Sequence, residues 1–87
     1  MFRQIINIST LDSAKKFVNL TAKYDGITMR LRVDDYEIDA HSIVGVLSIV
    51  DSESNAVFTA NVPESNKDTN EALLEDIKPF IVKDQAV

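Results

Sequence analysis

Apolar and polar residues alternate along residues 27–33, and this alternation predicts the clearest strand of the chain. The residues expected to face the core are Ile27, Met29, Leu31 and Val33. Those expected to face solvent are Thr28, Arg30 and Arg32. Strict alternation of this kind predicts a sheet with one solvated face.

Three further strands are predicted around this one. Asp34-Asp35 is suited to a two-residue turn, which predicts a hairpin from residues 27–33 to a strand at 36–39. Another strand is predicted at residues 2–8, where Phe2, Gln4, Ile6 and Ile8 share one face. The last strand is predicted at residues 55–62.

Helical spacing of apolar residues predicts a helix at each of two other places. At residues 12–24 the apolar stripe consists of Ala14, Phe17, Val18 and Thr21. Asp12 or Ser13 is the expected N-cap there, and Gly26 the expected stop. The final helix is predicted to open near Asp68, with Glu71 in a capping box, and to end or kink at Pro79. Its predicted buried side consists of Leu73, Leu74, Ile77, Phe80 and Ile81.

Residues 42–50 form a third helical segment that is apolar except for Gly45 and Ser48, beyond its opening serine. On a helical wheel its apolar arc spans roughly 220°, about twice what a surface helix needs to cover a core. One interpretation is a helix buried on two sides, or a strand. The other is that Val46, Ile49 and Val50 face the core, while Ile43, Val44 and Leu47 stay partly exposed for a partner.

The predicted order of elements is βαββαβα, which indicates an α+β open-faced sandwich. A chain of 87 residues is long enough for one domain, so we expect a single domain over residues 1–87.

Composition excludes several classes of function. The chain has no cysteine, which excludes disulfides and thiolate metal sites. Its net charge of −5 argues against nucleic acid and anionic membranes as partners. The N-terminus lacks a signal-peptide pattern, so a cytoplasmic location is expected. A calcium-loop spacing is also missing from Asp34, Asp35, Asp39, Asp51 and Glu53, which predicts a solvated acidic surface and no metal or cofactor.

Residues 42–48, Ser-Ile-Val-Gly-Val-Leu-Ser, resemble the Ser-Ile-Met-Gly-Val-Met-Ser stretch of a known family. That family is the histidine-containing phosphocarrier protein, HPr, of the sugar phosphotransferase system. Thr-Ala-Lys-Tyr-Asp at residues 21–25 and the strand after it are also similar to that family. The resemblance implies the HPr-like fold, in which a four-stranded antiparallel sheet carries three helices on one face.

The chain departs from this family at the phosphoacceptor. HPr proteins carry the phosphoryl group on a histidine within His-Ala-Arg-Pro-Ala, whereas residues 10–14 here are Thr-Leu-Asp-Ser-Ala. Thr10 or Leu11 therefore stands where the histidine would be, and the arginine and proline are also missing. A threonine phosphoester is not a high-energy N–P bond, and leucine accepts no phosphoryl group. We therefore expect a regulatory or protein-binding module that is not an enzyme.

The resemblance also implies a partner surface and a regulatory position. HPr proteins meet their partners through the residues matching Ile43, Val44 and Leu47, so we expect a protein of the phosphotransferase system, or a regulatory protein, to dock there. Ser42 matches the serine that a regulatory kinase phosphorylates in some members. The alternatives are a working phosphocarrier that uses Ser42, His41 or Thr10, and an accessory domain whose partner surface has changed.

Overall fold

The computed structural model describes residues 1–50 and 55–82 and has the predicted α+β architecture and element order. Its strands are β1 (Phe2–Ile6), β2 (Met29–Val33), β3 (Tyr36–Asp39) and β4 (Ala56–Ala60). Its α-helices are α1 (Leu11–Thr21), α2 (Ile43–Leu47) and α3 (Lys67–Ile77). Two 3₁₀ turns, Ala22–Tyr24 and Lys78–Phe80, follow α1 and α3.

The four strands form one antiparallel sheet in the order β1-β4-β2-β3. Alternate residues of β2 are buried and exposed in turn, as the sequence pattern predicted. The buried residues of the sheet pack against those of the helices in one core, which confirms an open-faced sandwich. Its largest fully buried side chains are Phe17, Phe58, Ile6, Met29, Leu31, Leu73 and Ile77.

Aromatic rings join α1 to the sheet and to the end of α3. The ring of Phe17 meets the ring of Phe58 edge-on, with centroids 5.6 Å apart, and that of Phe80 at 5.5 Å. Such edge-to-face pairs contribute about 0.5–1.5 kcal/mol beyond the area they bury. The predicted buried side of α3 is correct for Leu73 and Ile77 but wrong for Leu74, which is exposed. Leu74 follows Leu73 directly, and neighbours on a helix point in directions about 100° apart.

The predicted N-caps of α1 and α3 are wrong by two or three residues. Thr10 caps α1, in place of Asp12 or Ser13, and Asn66 caps α3, in place of Asp68. The backbone N–H of Thr69 donates to Asn66 Oδ1 at 3.2 Å, which leaves Asp68 in the first turn. A carboxylate there still interacts favourably with the helix dipole.

The predicted turns and helix ends agree with the structure at three positions. Asp34 adopts a φ of 54° in the two-residue turn between β2 and β3, a conformation that Asp tolerates better than most residues. Gly26 has a φ of 89°, which a side chain would disfavour. The α-helical part of α3 ends at Ile77, two residues before Pro79.

Tyr24 connects the end of α1 to α3. Its hydroxyl donates to Asp76 Oδ2 at 2.6 Å, and Lys23 Nζ lies 3.6 Å from the same carboxylate. Burial, together with the hydrogen bond and the negative charge of Asp76, raises the pKa of Tyr24 to about 12. The phenol therefore stays protonated at neutral pH and keeps donating this bond.

Two sequence-based expectations concern surfaces. Within the described part of the chain, no helix is long and apolar enough to cross a membrane. Asp51 and Glu53, two of the acidic residues expected on a solvated surface, lie outside the described residues. Asp34, Asp35 and Asp39 are exposed, as expected.

Candidate docking surface on helix α2

Ser42 is the N-cap of helix α2, as the sequence predicted. The backbone N–H of Gly45 donates to Ser42 Oγ at 3.2 Å, and the N–H of Val46 donates to the Ser42 carbonyl at 2.9 Å. The α-helix ends at Leu47, three residues earlier than expected. Hydrogen bonds between residues three apart continue the turn beyond Leu47, and in one of them the Val50 N–H donates to the Leu47 carbonyl at 3.3 Å.

The apolar residues of this segment divide into two groups by burial. Val46 is fully buried, Ile49 is buried, and Val50 packs half-buried against the core. Val44 is 76% exposed, and Ile43 and Leu47 are each 37% exposed. The interpretation of the segment as a strand or as a helix buried on two sides is therefore wrong. We call Ile43, Val44 and Leu47 the α2 patch.

Helix α2 lies close to β3 at Gly45. A methyl group added at Gly45 would lie 3.4 Å from the Cβ of Ile38 and 3.5 Å from the Asp39 carbonyl oxygen. This space is just wide enough for ordinary van der Waals contact. The close approach places Val46 in the core and, on the opposite side of the same short helix, holds the α2 patch toward solvent.

The α2 patch has neighbours that the sequence analysis did not identify. Ile43 lines a surface depression of about 360 Å³ together with Lys15, Val18 and Asn19 of α1. These three α1 residues lie at helical spacing, so the sequence indicates that they share one face of α1. The sequence did not show that α1 would pack beside α2, so their proximity to Ile43 could not be predicted.

The other end of α2 meets an exposed tyrosine of the edge strand β3. The hydroxyl oxygens of Tyr36 and Ser48 lie 3.3 Å apart, and Tyr36 is exposed. The candidate docking surface thus extends from α1, across the α2 patch, to β3. One aromatic ring and one lysine, Lys15, lie at its two ends.

The start of α1, where the resemblance places the phosphoacceptor, is occupied by a reciprocal capping box. Ser13 N–H donates to Thr10 Oγ1 at 3.0 Å, and Thr10 N–H donates to Ser13 Oγ at 3.1 Å. The two hydroxyl groups are also within hydrogen-bond distance, at 2.9 Å. Leu11 is exposed in the first turn beside them. Neither Thr10 nor Leu11 places an imidazole at this position.

His41, the only histidine of the chain, lies away from the start of α1, between α2 and β3. Its Nε2 lies 2.8 Å from the Ile27 carbonyl oxygen, and because a carbonyl oxygen only accepts, Nε2 is the donor of this hydrogen bond. The backbone N–H of His41 donates to Asp39 Oδ1 at 2.9 Å. The hydrogen bond of Nε2 holds the half-buried ring in place, and the backbone hydrogen bond belongs to the turn before α2.

The candidate acceptors Thr10, Ser42 and His41 therefore have structural roles where they stand. Thr10 and Ser42 cap helices, and His41 binds a backbone carbonyl. Among residues 1–50 and 55–82, no three acidic or histidine side chains are placed to hold a metal ion.

Comparisons with known proteins add no family assignment to this geometry. No protein-family model matches the chain, and no curated protein matches it.

Proposed function

We propose that this chain is an HPr-like, protein-binding module that docks through the α2 patch and carries no phosphoryl group on histidine. Its partner is a protein of the sugar phosphotransferase system or a regulatory protein of that system. The observation that carries the proposal is that residues 43–50 have one buried apolar side and one exposed apolar side.

The exposure of the α2 patch supports a docking role because the fold of the single chain leaves it partly in water. Val44 leaves most of its surface in water, although a polar residue could occupy the same helical position. Apolar side chains grouped on one short helix are typical of partner surfaces. Tyr36 and Lys15 at the edges add an aromatic ring and a charge, which are common at the rims and centres of interfaces.

The start of α1 supports the loss of phosphotransfer. Thr10 uses both its backbone and its hydroxyl in the capping box with Ser13. A phosphoryl group on Thr10 would break this box and would form an ester too stable for rapid transfer. The chemistry that makes a histidine phosphocarrier reversible is therefore missing at the position the resemblance indicates.

Binding to the first enzyme and the sugar-specific proteins of a phosphotransferase system tests the proposal. We expect saturable binding, measured by titration calorimetry or by amide shifts of the labelled chain. Val44→Ala with Leu47→Ala should weaken it at least about tenfold, since central apolar residues dominate interfaces. Leu74→Ala is the matched control, because Leu74 is 39% exposed, slightly more than Leu47, but lies on α3. Equal losses in the control, or no binding, would contradict the proposal.

Incubation with phosphoenolpyruvate and the first enzyme of the system tests the alternative of a working phosphocarrier. We expect no acid-labile phosphohistidine on the chain. Stoichiometric labelling that disappears in His41→Ala would instead assign phosphotransfer to His41. Acid-stable labelling that disappears in Thr10→Ala or Ser42→Ala would assign it to the corresponding hydroxyl.

Ser42 gives the proposed docking surface a means of regulation. Its hydroxyl lies beside the α2 patch and caps α2 by accepting a hydrogen bond from Gly45. A phosphate there would place about two negative charges next to Ile43 and Val44 and would disfavour an apolar contact. Intact-mass measurement of the chain from its native cells tests this modification, and an unmodified mass under all growth conditions would contradict it.

A further inference from the structure

The outer face of the sheet, opposite the helices, carries every arginine of the chain. These are Arg3 on β1 and Arg30 and Arg32 on β2, while the six lysines lie elsewhere in the sequence. Strand pairing places Thr59 of β4 directly between Arg3 and Arg30. A guanidinium group can thus approach from each side of the Thr59 hydroxyl.

The spacing of the three arginines follows from the strand geometry. Arg3 and Arg30 are two strands apart, which puts their Cα atoms roughly 10 Å from each other. Arg30 and Arg32 are alternate residues of one strand, with Cα atoms about 7 Å apart. All three are anchored on paired strands, so their starting points are held rigidly.

A depression of about 530 Å³ lies between Arg3 and Arg32. Val57 and Thr59 of β4 lie between its two arginines and line its floor, and Asn55, Asp34 and Glu37 line the rest of it. This volume is within the range of small-molecule sites. The lining therefore carries two positively charged side chains, Arg3 and Arg32, and two negatively charged ones, Asp34 and Glu37.

The arginines have few partners within the chain. Arg32 Nε donates a hydrogen bond to the Asp34 carbonyl oxygen at 2.9 Å, and the ion pairs of Arg30 and Arg32 are long. Arg30 lies 3.7 Å from Glu37, and Arg32 lies 4.0 Å from Asp35, with side chains more than half exposed. Arg3 makes no ion pair with the described residues 1–50 and 55–82. Exposed pairs at such distances contribute about 0–1 kcal/mol, so a better anion can displace them.

We propose that this depression binds a small molecule with two or more oxyanion groups, either phosphates or carboxylates. One oxyanion is held by Arg3 with the Thr59 hydroxyl, and the other by Arg32. Arg30 does not line the depression but lies beside it, on the other side of Thr59 from Arg3. Arginine suits this role because its planar fork binds such oxyanions bidentately. Glu37 also lines the depression, and its negative charge opposes the ligand.

A long polyanion such as nucleic acid fits the same surface poorly. The net charge of −5 repels an extended phosphate backbone, whereas a small ligand meets only the charges that line the depression, Arg3 and Arg32 with Asp34 and Glu37. The outward-facing residues of the described strands also include no aromatic ring on which a base could stack.

Titration calorimetry of the full chain at low ionic strength tests the proposal with two probes, inorganic tripolyphosphate and citrate. We expect saturable binding of at least one probe. Arg3→Gln and Arg32→Gln should each weaken it about tenfold or more, since hydrogen bonds to charged groups are strong. Glu37→Gln should strengthen it about threefold by removing a negative charge from the lining. A gain of affinity cannot arise from a misfolded variant.

Lys67→Gln is the matched control, because it removes the same charge from α3 and leaves the sheet face intact. Its affinity should change less than twofold, which separates a local site from the effect of net charge. Binding of tripolyphosphate alone assigns phosphate groups to the ligand, and binding of citrate alone assigns carboxylates. No saturable binding of either probe, or equal losses in Lys67→Gln and Arg3→Gln, would overturn the proposal.

Discussion

The starts of α1 and α2 use the same capping chemistry in different surroundings. At α1 the hydroxyls of Thr10 and Ser13 satisfy each other and the backbone in a closed polar box. At α2 a single hydroxyl, that of Ser42, accepts one backbone N–H, and the next residues are exposed and apolar.

The difference shows that capping a helix and presenting an exposed apolar surface are independent properties of a helix start. The box at α1 stabilises the helix and leaves its hydroxyls occupied. The simpler cap at α2 starts a helix that places Val46 in the core and Val44 in water. We therefore expect mutations of the two helix caps and mutations of the apolar residues of α2 to change the free energy of unfolding by different amounts.

The largest effect should separate the two sides of α2. Val46→Ala removes buried methyl groups and should lower the free energy of unfolding by about 2–4 kcal/mol, because a cavity remains. Val44→Ala should lower it by less than about 1 kcal/mol, because the side chain is mostly in water. Denaturant unfolding of both variants measures the difference. Equal large losses would mean that the patch is buried and that docking through it must be abandoned.

The next effect concerns the box at α1. Thr10→Ala removes the acceptor for Ser13 N–H and the partner of the Ser13 hydroxyl, so we expect a loss of about 1–2 kcal/mol. Thermal and denaturant unfolding measure it, with Ser9→Ala as the control because Ser9 precedes the cap and is exposed. A loss no greater than that of the control would show that the box contributes nothing to stability.

The corresponding change at α2 should be smaller. Ser42→Ala removes one hydrogen bond from a helix of five residues, and we expect a loss of about 0.5–1 kcal/mol. Comparing it with Thr10→Ala under the same conditions gives the difference between a single cap and a reciprocal one. If Ser42→Ala costs more than Thr10→Ala, the ranking of the two helix starts is wrong.

The smallest effect should come from adding charge at α2. Ser42→Asp keeps an oxygen acceptor for Gly45 N–H and places a negative charge at the positive end of the helix, so stability should change by no more than about 1 kcal/mol. The change should shrink as salt is added. Unfolding curves at low and high salt test it, and a collapse of the fold would show that this position cannot accept a phosphate.

Much of the fold could be predicted because its signals are local. The alternation in residues 29–33 and the helical spacing around Phe17 and Leu73 each act within a few residues, so they specify strands and helices without knowledge of the rest. Apart from the exposure of Leu74 within α3, the errors lie at element ends. Several polar residues near each helix start could serve as its cap, and the choice depends on where the preceding chain leaves the sheet.

The candidate site was predicted in part for the same reason. The segment 42–50 was visibly too apolar for one contact, but its pattern could not show which side would meet the sheet. That depended on contacts with the sheet, where Gly45 of α2 lies close to Ile38 of β3 and Val46 is fully buried. The neighbours Lys15 and Tyr36 were not predicted, because they come from elements distant along the chain.

The sequence by itself determined the order of elements, the solvated face of β2 and the cap at Ser42. Only the tertiary structure decided that Thr10 caps α1, that Ile43, Val44 and Leu47 stay outside the core, and that Arg3 comes beside Arg30 across Thr59. The reason is physical. Periodicity and capping act over a few neighbouring residues, whereas strand register and helix packing are set by contacts between residues far apart in the chain.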